Sequence, residues 1–374
     1  MKILLICLSV LLHFGSVYGD DEIKIGVVLP LSGNTSNYGT EALKGINLAV
    51  ENINRAGGIR RNKLKLIVKD NAGDPATTSR VVLEMIDEQQ AMAIIGPITS
   101  TNSAVAAAVA QQASTPLILP TATNPYITEI GEYITRICFT DPVQSKALAE
   151  FSKNHLHAGK IAVVFEKGSS YSEKLSEFYV MRLKDIGGNV AFIEGFESGE
   201  DNIRDVISRA LKVNPDLIFA PVYYPEAATI VNYIAGLNNP VTVLGGDGWE
   251  SPELFRLCGK NMSSLQVFIS SHFSLQNPHQ IVSSFVNNFQ QVFGNRPNSV
   301  SALGFDAVGM FVDGLKRASL ISKNGLQQAL ISTSNLEGVT GTISMNEKRN
   351  AVKDIYILKA SEDEFILETN ISTY

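Results

Sequence analysis

Cysteine is scarce in this chain. Three occur in 374 residues, and tryptophan occurs once. Cys7 lies in an apolar stretch at the start, and Cys138 and Cys258 stand far apart without a CxxC pair or metal-ligand spacing. That excludes a dithiol redox centre and a cysteine-based metal site. Two such isolated cysteines are expected as small buried side chains with free thiols, although an oxidising compartment would allow one disulfide between them. An excess of basic charge is also missing. The 31 lysines and arginines face 37 aspartates and glutamates, for a formal net charge of −6. A mildly acidic surface argues against nucleic acid and anionic membranes as partners. The sequence has no GxSxG, no phosphate loop ending in GK[ST], no HExxH and no GxGxxG after a strand. These absences remove the commonest enzyme chemistries, and no cofactor or metal is expected.

Long apolar runs are lacking except at the start. Met1 and Lys2 make a short charged opening, residues 3–17 are mostly apolar, and Val17 and Gly19 form a small-residue exit before Asp20. This charged–apolar–small order is that of a secretory signal, cut ahead of Asp20. The apolar stretch is shorter than the roughly 20 residues of a membrane span. Cys7 sits inside the apolar core rather than at its end, so a lipid-modified N-terminus is not expected. Losing Lys2 leaves 30 basic against 37 acidic side chains, a net of −7. A hydrophobic fraction of 45% is that of an ordinary globular protein, and the length suggests two domains.

What is present is one rhythm, played twice. Residues 23–29 predict a buried strand, 32–38 a polar loop and 39–55 a helix with Ala42, Ile46, Ala49, Val50 and Ile53 on one face. Gly57 and Gly58 end that helix. Strands at 64–68, 92–95 and 117–119 then alternate with helices at 75–88 and 100–113. The rhythm restarts with a strand at 160–165 and a helix at 173–186 that stops at Gly187-Gly188. Strands at 190–193, 216–220 and 241–244 alternate with helices at 202–213 and 225–237. Further helices are predicted at 280–293, 299–318 and 325–331, and closing strands at 351–358 and 364–368. Alternation of this kind predicts α/β architecture with two doubly wound parallel-sheet lobes.

Ligands of such sheets sit beyond the carboxyl ends of the strands. The loops of the first lobe there carry Tyr38, Thr99, Ser100, Thr121 and Thr123, hydroxyls beside a helix N-terminus that suit an anion. Those of the second carry Tyr171, Tyr223 and Asp247, aromatic rings with one carboxylate that suit a cation with an apolar neighbour. Together they fit a zwitterion, a free amino acid. Taken singly, Ser100 is an ordinary helix cap and Asp247-Gly248 an ordinary turn.

The ordered set of motifs resembles the substrate-binding proteins of bacterial ABC importers, of the leucine/isoleucine/valine-binding type with the type I periplasmic fold. The resemblance rests on IKIGVVLPLSG with Tyr38-Gly39, Gly57-Gly58-Ile59, Asn62-Lys63-Leu64, Asp70 and Asp74-Pro75. It continues through Ile95-Gly96-Pro97, Thr121-Ala122-Thr123, Tyr171, Tyr223 with Pro225-Glu226, Gly246-Asp247-Gly248 and Gly304-Phe305-Asp306-Ala307, covering essentially the whole chain after the signal. The resemblance implies that Ser100 and Thr123 bind a ligand α-carboxylate. It implies that the Thr121 carbonyl, the Thr123 hydroxyl and Asp247 bind the α-ammonium. Tyr171 would lie against the ligand, Tyr223 would close from the second lobe, and Tyr38 and Thr99 would border the side-chain pocket.

The resemblance also implies a three-crossing hinge near Thr140, Ser270 and Ile343. Lobe one would comprise residues 20–140 and 271–343, and lobe two residues 141–270 and 344–374. It implies a monomer in the periplasm that hands an aliphatic or branched-chain amino acid to the membrane subunits of an ABC permease. The alternative is a ligand-sensing module of the same fold for an amide or small carboxylate. Three positions depart from the family pattern. Asp247 is shorter than the glutamate of many members, Gly73 and Thr99 occupy the positions of a disulfide in some relatives, and Val300 replaces a bulky aromatic. The histidines add no catalytic group: His155 and His157 flank a predicted helix end, His272 lies near a hinge, and His279 near a helix start.

Overall fold

The computed structural model describes residues 22–197 and 199–373. The expected signal, Cys7 and the expected cut before Asp20 lie outside the described residues. The first sheet is built from β1 (Glu22–Leu29), β2 (Lys63–Asp70), β3 (Ala93–Ile95), β4 (Leu117–Leu119) and β5 (Ile134–Arg136), in the order β2-β1-β3-β4-β5. All its pairings are parallel. The apolar runs that predicted buried strands are buried: Ile25, Val27, Ile94, Ile95, Leu117 and Ile118 have no exposed surface. The connecting helices are α1 (Ser36–Arg55), α2 (Pro75–Asp87), α3 (Ser100–Gln112) and the single turn α4 (Tyr126–Glu129). Helix α2 starts where Asp74 accepts a bond from the Thr77 amide and Pro75 fills the first helical position.

The second unit repeats the plan. Helix α5 (Asp141–Glu150) leads through a π turn, Phe151–His155, to β6 (Ile161–Glu166), α6 (Ser170–Asp185), β7 (Val190–Phe196) and α7 (Glu200–Leu211). Strand β8 (Leu217–Ala220), helix α8 (Tyr224–Gly236), β9 (Thr242–Gly245), the short helices α9 (Pro252–Cys258) and α10 (Asn261–Ser264), and β10 (Val267–Ser271) follow. The core of this sheet runs β7-β6-β8-β9-β10, the same winding as the first sheet. In each sheet the second strand lies on one side of the first and the third on the other. That reversal opens a crevice at the strands' carboxyl ends.

The chain then returns to the first unit. Helices α11 (Gln280–Phe293), α12 (Ser299–Arg317) and α13 (Lys323–Ile331) follow β10, and α12 packs along α1. A small antiparallel sheet of β11 (Leu336–Gly338), β12 (Gly341–Met345) and β13 (Ala351–Val352) comes next. Strands β14 (Ile355–Ala360) and β15 (Phe365–Ile371) extend the second sheet antiparallel at its edge, beside β10. The chain thus passes between the two layered units three times, at 137–140, 272–279 and 353–354. The predicted strand at 351–358 is therefore two strands in two sheets, split at Lys353–Asp354. Ile343 lies inside β12, opposite Leu336. Residues 134–136, 141–150 and 267–271 form elements that local pattern did not predict. Cys138 and Cys258 are both free and buried. None of the described helices is long and apolar enough to cross a membrane.

Candidate functional site

The carboxyl ends of both sheets face one cleft. Its lining consists of Tyr38, Ile98, Ser100, Thr121, Thr123, Tyr171, Tyr223, Asp247, Gly248, His272, Ser299, Val300 and Leu303. Seven of the eight residues singled out from the sequence are in that set. The eighth, Thr99, is the residue before α3 and stands outside the lining.

On the first unit, helix α3 begins at the cleft; the Thr99 side chain does not cap it, and the Ser100 amide faces the Tyr223 hydroxyl across the cleft. Such an N-terminus carries partial positive charge and outward N–H donors, which favour an anion. Ser100 is its first residue and is buried. The Thr121 hydroxyl is turned back to donate to the Ile98 carbonyl at 2.8 Å. The Thr123 hydroxyl is buried without a hydrogen-bond partner, while its carbonyl accepts from the Asp141 amide at 2.9 Å. Behind this loop the buried Arg136 donates to the carbonyls of Ala122 and Asn124, both at 2.7 Å, and so holds its backbone in place. Asp141 is also buried, and its carboxylate makes no close hydrogen bond, the nearest donor being the Thr123 hydroxyl that faces it. Burial pushes its carboxyl up to about 8; the neighbouring Asp247 charge acts in the same sense, against the Thr123 hydroxyl and Arg136.

On the second unit, Asp247 sits in a tight turn just after β9. Its Oδ1 accepts from the Tyr171 hydroxyl and from Gln144 Nε2, both at 3.0 Å, and its Oδ2 lies 3.2 Å from His272 Nε2. Gln144 Oε1 in turn accepts from the Asp247 amide at 3.1 Å and the Ser270 hydroxyl at 2.7 Å. A Cβ on Gly246 would overlap the Tyr171 hydroxyl, so the backbone must be glycine for the phenol to reach the carboxylate. Tyr171 and Tyr223 stack with centroids 5.0 Å apart, and Tyr38 meets Tyr223 edge-on at 6.0 Å. Burial raises the ionisation of all three phenols well above the usual tyrosine value, so they stay neutral donors.

The two units are closed over this cleft. The Tyr38 hydroxyl of α1 donates to the Gly248 carbonyl and accepts from the Tyr224 amide at 3.0 Å. Asn124 Nδ2 donates to the carbonyl and hydroxyl of Ser170 at 3.0 and 2.9 Å, and the Tyr224 hydroxyl donates to the Asn34 carbonyl at 2.6 Å. The cavity between them measures about 30 Å³. A larger space of about 550 Å³ opens between α9, the β14–β15 hairpin and residues 295–298. Three of its four charged groups are already engaged: Glu250 accepts from Ser271 and the Ser299 amide, and Arg296 pairs with Glu364 at 2.8 Å. Convergent polar groups without partners lie in the smaller cleft, which is therefore the candidate site.

Sequence reading missed Gln144, Arg136, Asp141 and the role of His272. Arg136 lies in a three-residue strand, and Asp141 and Gln144 in a helix whose mean pattern is weak. The signal they left was polar residues three apart on one face, Asp141 and Gln144, beside a proline at a helix start. Among the described residues no group of histidine, cysteine, aspartate and glutamate is arranged to hold a metal ion.

A sequence model described as a periplasmic binding protein matches residues 22–364. An amino acid binding protein of Pseudomonas aeruginosa is 28% identical over 239 residues, 64% of this chain and 64% of that protein's length. The Leu/Ile/Val-binding protein of Escherichia coli is 26% identical over 348 residues, 90% of each chain. Among solved structures, the branched-chain amino acid transporter substrate-binding protein LivJ of Streptococcus pneumoniae, in complex with isoleucine, superposes with a TM-score of 0.87. It is 28% identical and covers 94% of this chain and 99% of its own.

Proposed function

The chain belongs to the periplasmic binding protein family, and from that premise we propose that it captures a free aliphatic amino acid between its lobes. It then hands the amino acid to an ABC permease and carries out no chemistry on it. One observation carries the reading. The N-terminus of α3, with Ser100 and Thr123, faces the same small cleft as the Asp247 carboxylate. A positive pole and a negative pole across one cleft match the two charges of an α-amino acid. Ile98, Val300 and Leu303 supply the apolar wall for an aliphatic side chain. In the same reading Ser100 and Thr123 take the α-carboxylate, and the Thr121 carbonyl, Thr123 and Asp247 take the α-ammonium. Tyr171 lies against the ligand, Tyr223 closes over it, and Tyr38 and Thr99 border the pocket. The three passages of the chain act as a hinge between the lobes. The protein works as a monomer in the periplasm, exported by a cleaved signal and without lipid.

A thermal-shift screen of the twenty amino acids tests the class, since a ligand at a hundred times its Kd stabilises by roughly 2.7 kcal/mol. Calorimetry with leucine and its deaminated analogue tests the charge pairing. Breaking a buried ion pair costs roughly 3–5 kcal/mol, so Asp247→Ala should weaken leucine by on the order of a hundredfold or more. The analogue should lose much less. A coupling energy near zero in this cycle would assign the site to a small carboxylate or amide instead. That second reading is favoured by one feature, the imidazole already placed against Asp247.

A further inference from the structure

We propose that His272 is a specificity-determining residue of the cleft: its Nε2–H holds the Asp247 carboxylate toward the ligand, and its charge state decides whether that carboxylate is free to pair with a cation. The inference rests on the amino-acid reading above. His272 follows β10 at the second passage between the lobes and is 1% exposed. Its ring stacks on Phe139 with centroids 3.5 Å apart, which fixes the ring plane. Nε2 lies 3.2 Å from Asp247 Oδ2, and Nδ1 is buried with no hydrogen-bond partner. An ionised carboxylate only accepts, so Nε2 carries the proton and Nδ1 is the bare nitrogen of a neutral ring.

That arrangement assigns the three donors around Asp247 different roles. Tyr171 and Gln144 both bind Oδ1 and carry no charge. His272 binds Oδ2, and it alone of the three can become a cation in the physiological range. A neutral ring leaves the carboxylate's charge available to a ligand ammonium. A protonated ring forms an internal ion pair with Asp247 and places a like charge beside the ammonium. Protonating Nδ1 would also bury an N–H without a partner, which keeps the ring neutral near pH 7. Burial lowers the ring's affinity for a proton, opposed by Asp247 and assisted by the Lys353 ammonium. Asp141 faces the same carboxylate from α5 and titrates at about 8. It is therefore the group whose contribution must be separated from that of His272.

Leucine affinity measured by calorimetry between about pH 5 and pH 8 separates them. The wild type should bind several-fold more weakly at the acid end. His272→Gln keeps a donor near the position of Nε2 but cannot titrate. Whatever its affinity at pH 7.5, it should lose the acid-side slope. His272→Leu should lose affinity at every pH, because Oδ2 then lacks its donor. A flat wild-type profile below pH 7, or the same acid-side slope in His272→Gln, would overturn the proposal. Failure of every amino acid to bind at pH 7.5 would remove the amino-acid reading. The His272 inference then stands or falls on the imidazole NMR titration of the free protein. There Asp247→Asn should lower the His272 midpoint, and an unmoved midpoint would overturn it.

Discussion

Just behind Thr123, the carboxylate of Asp141 is buried and makes no close hydrogen bond, with only the Thr123 hydroxyl facing it. Leaving a charge there is costly, and the group responds by holding its proton up to about 8. In an unfolded chain an aspartate ionises near 3.9. Between those two values the native state keeps a proton that the unfolded state has lost. Stability should therefore fall as pH rises from about 4 to about 8. Asparagine copies the shape of the protonated acid and does not titrate. Urea midpoints across this range should decline less steeply for Asp141→Asn than for wild type, with the variant gaining most near pH 8. Equal slopes would place the proton elsewhere. Arg136, Gln144 and His272 are buried as well, but hydrogen bonds engage them. Each is a polar side chain committed to a neighbour distant in sequence.

At the scale of elements, α1 and α12 approach each other closely in the first unit. A Cβ on Gly45 would land on the Ser301 carbonyl, and one on Gly304 would meet the Ala42 carbonyl. The two helices touch backbone to backbone because both faces carry glycine at the crossing. Gly309 lies on the same helix, and a Cβ there meets nothing within 4 Å. The two positions make a controlled pair. Gly304→Ala should destabilise by about 1–3 kcal/mol through overpacking. Gly309→Ala should be neutral or stabilising by about 0.5–1 kcal/mol, because alanine restricts the unfolded chain and favours helix. Chemical denaturation of the two variants checks this, and equal effects would remove the close-approach argument. Helix α12 starts on a reciprocal capping box between Asn298 and Ser301, which places Ser299 and Val300 at the cleft mouth.

For the whole molecule, opening and closing is the motion that the site requires. Tyr38 links the lobes through one hydroxyl that donates to Gly248 and accepts from Tyr224. A ligand that prefers the closed form should reduce the radius of gyration in solution scattering at saturation. Tyr38→Phe leaves the ring packing and removes both bonds. At about 0.5–1.5 kcal/mol per bond, leucine affinity should drop by roughly tenfold, and the fast step to change is ligand release. An affinity equal to wild type would mean that the hydroxyl does not hold the closed state.

Much of this protein was legible from local sequence. The valine- and isoleucine-rich runs at 23–29 and 160–165, the glycine pairs at 57–58 and 187–188, and the order of strand and helix all express short-range physics. Apolar periodicity and backbone preference act within a few residues, and the loops beyond the strands followed from that order. Seven of the eight residues read from those loops line one cleft for the same reason. The short elements were not legible. Strand β5 has three residues, and β10 is recognisable only because β9 and β14 flank it. Residues 351–358 look like one strand, yet the buried Lys353 turns the chain into a second sheet. Tertiary structure alone decided that Gln144, Tyr171 and His272 converge on Asp247. Those residues come from separate parts of the chain, and only the packing of α5 and α6 on the second sheet, with the passage after β10, brings their side chains within hydrogen-bond reach.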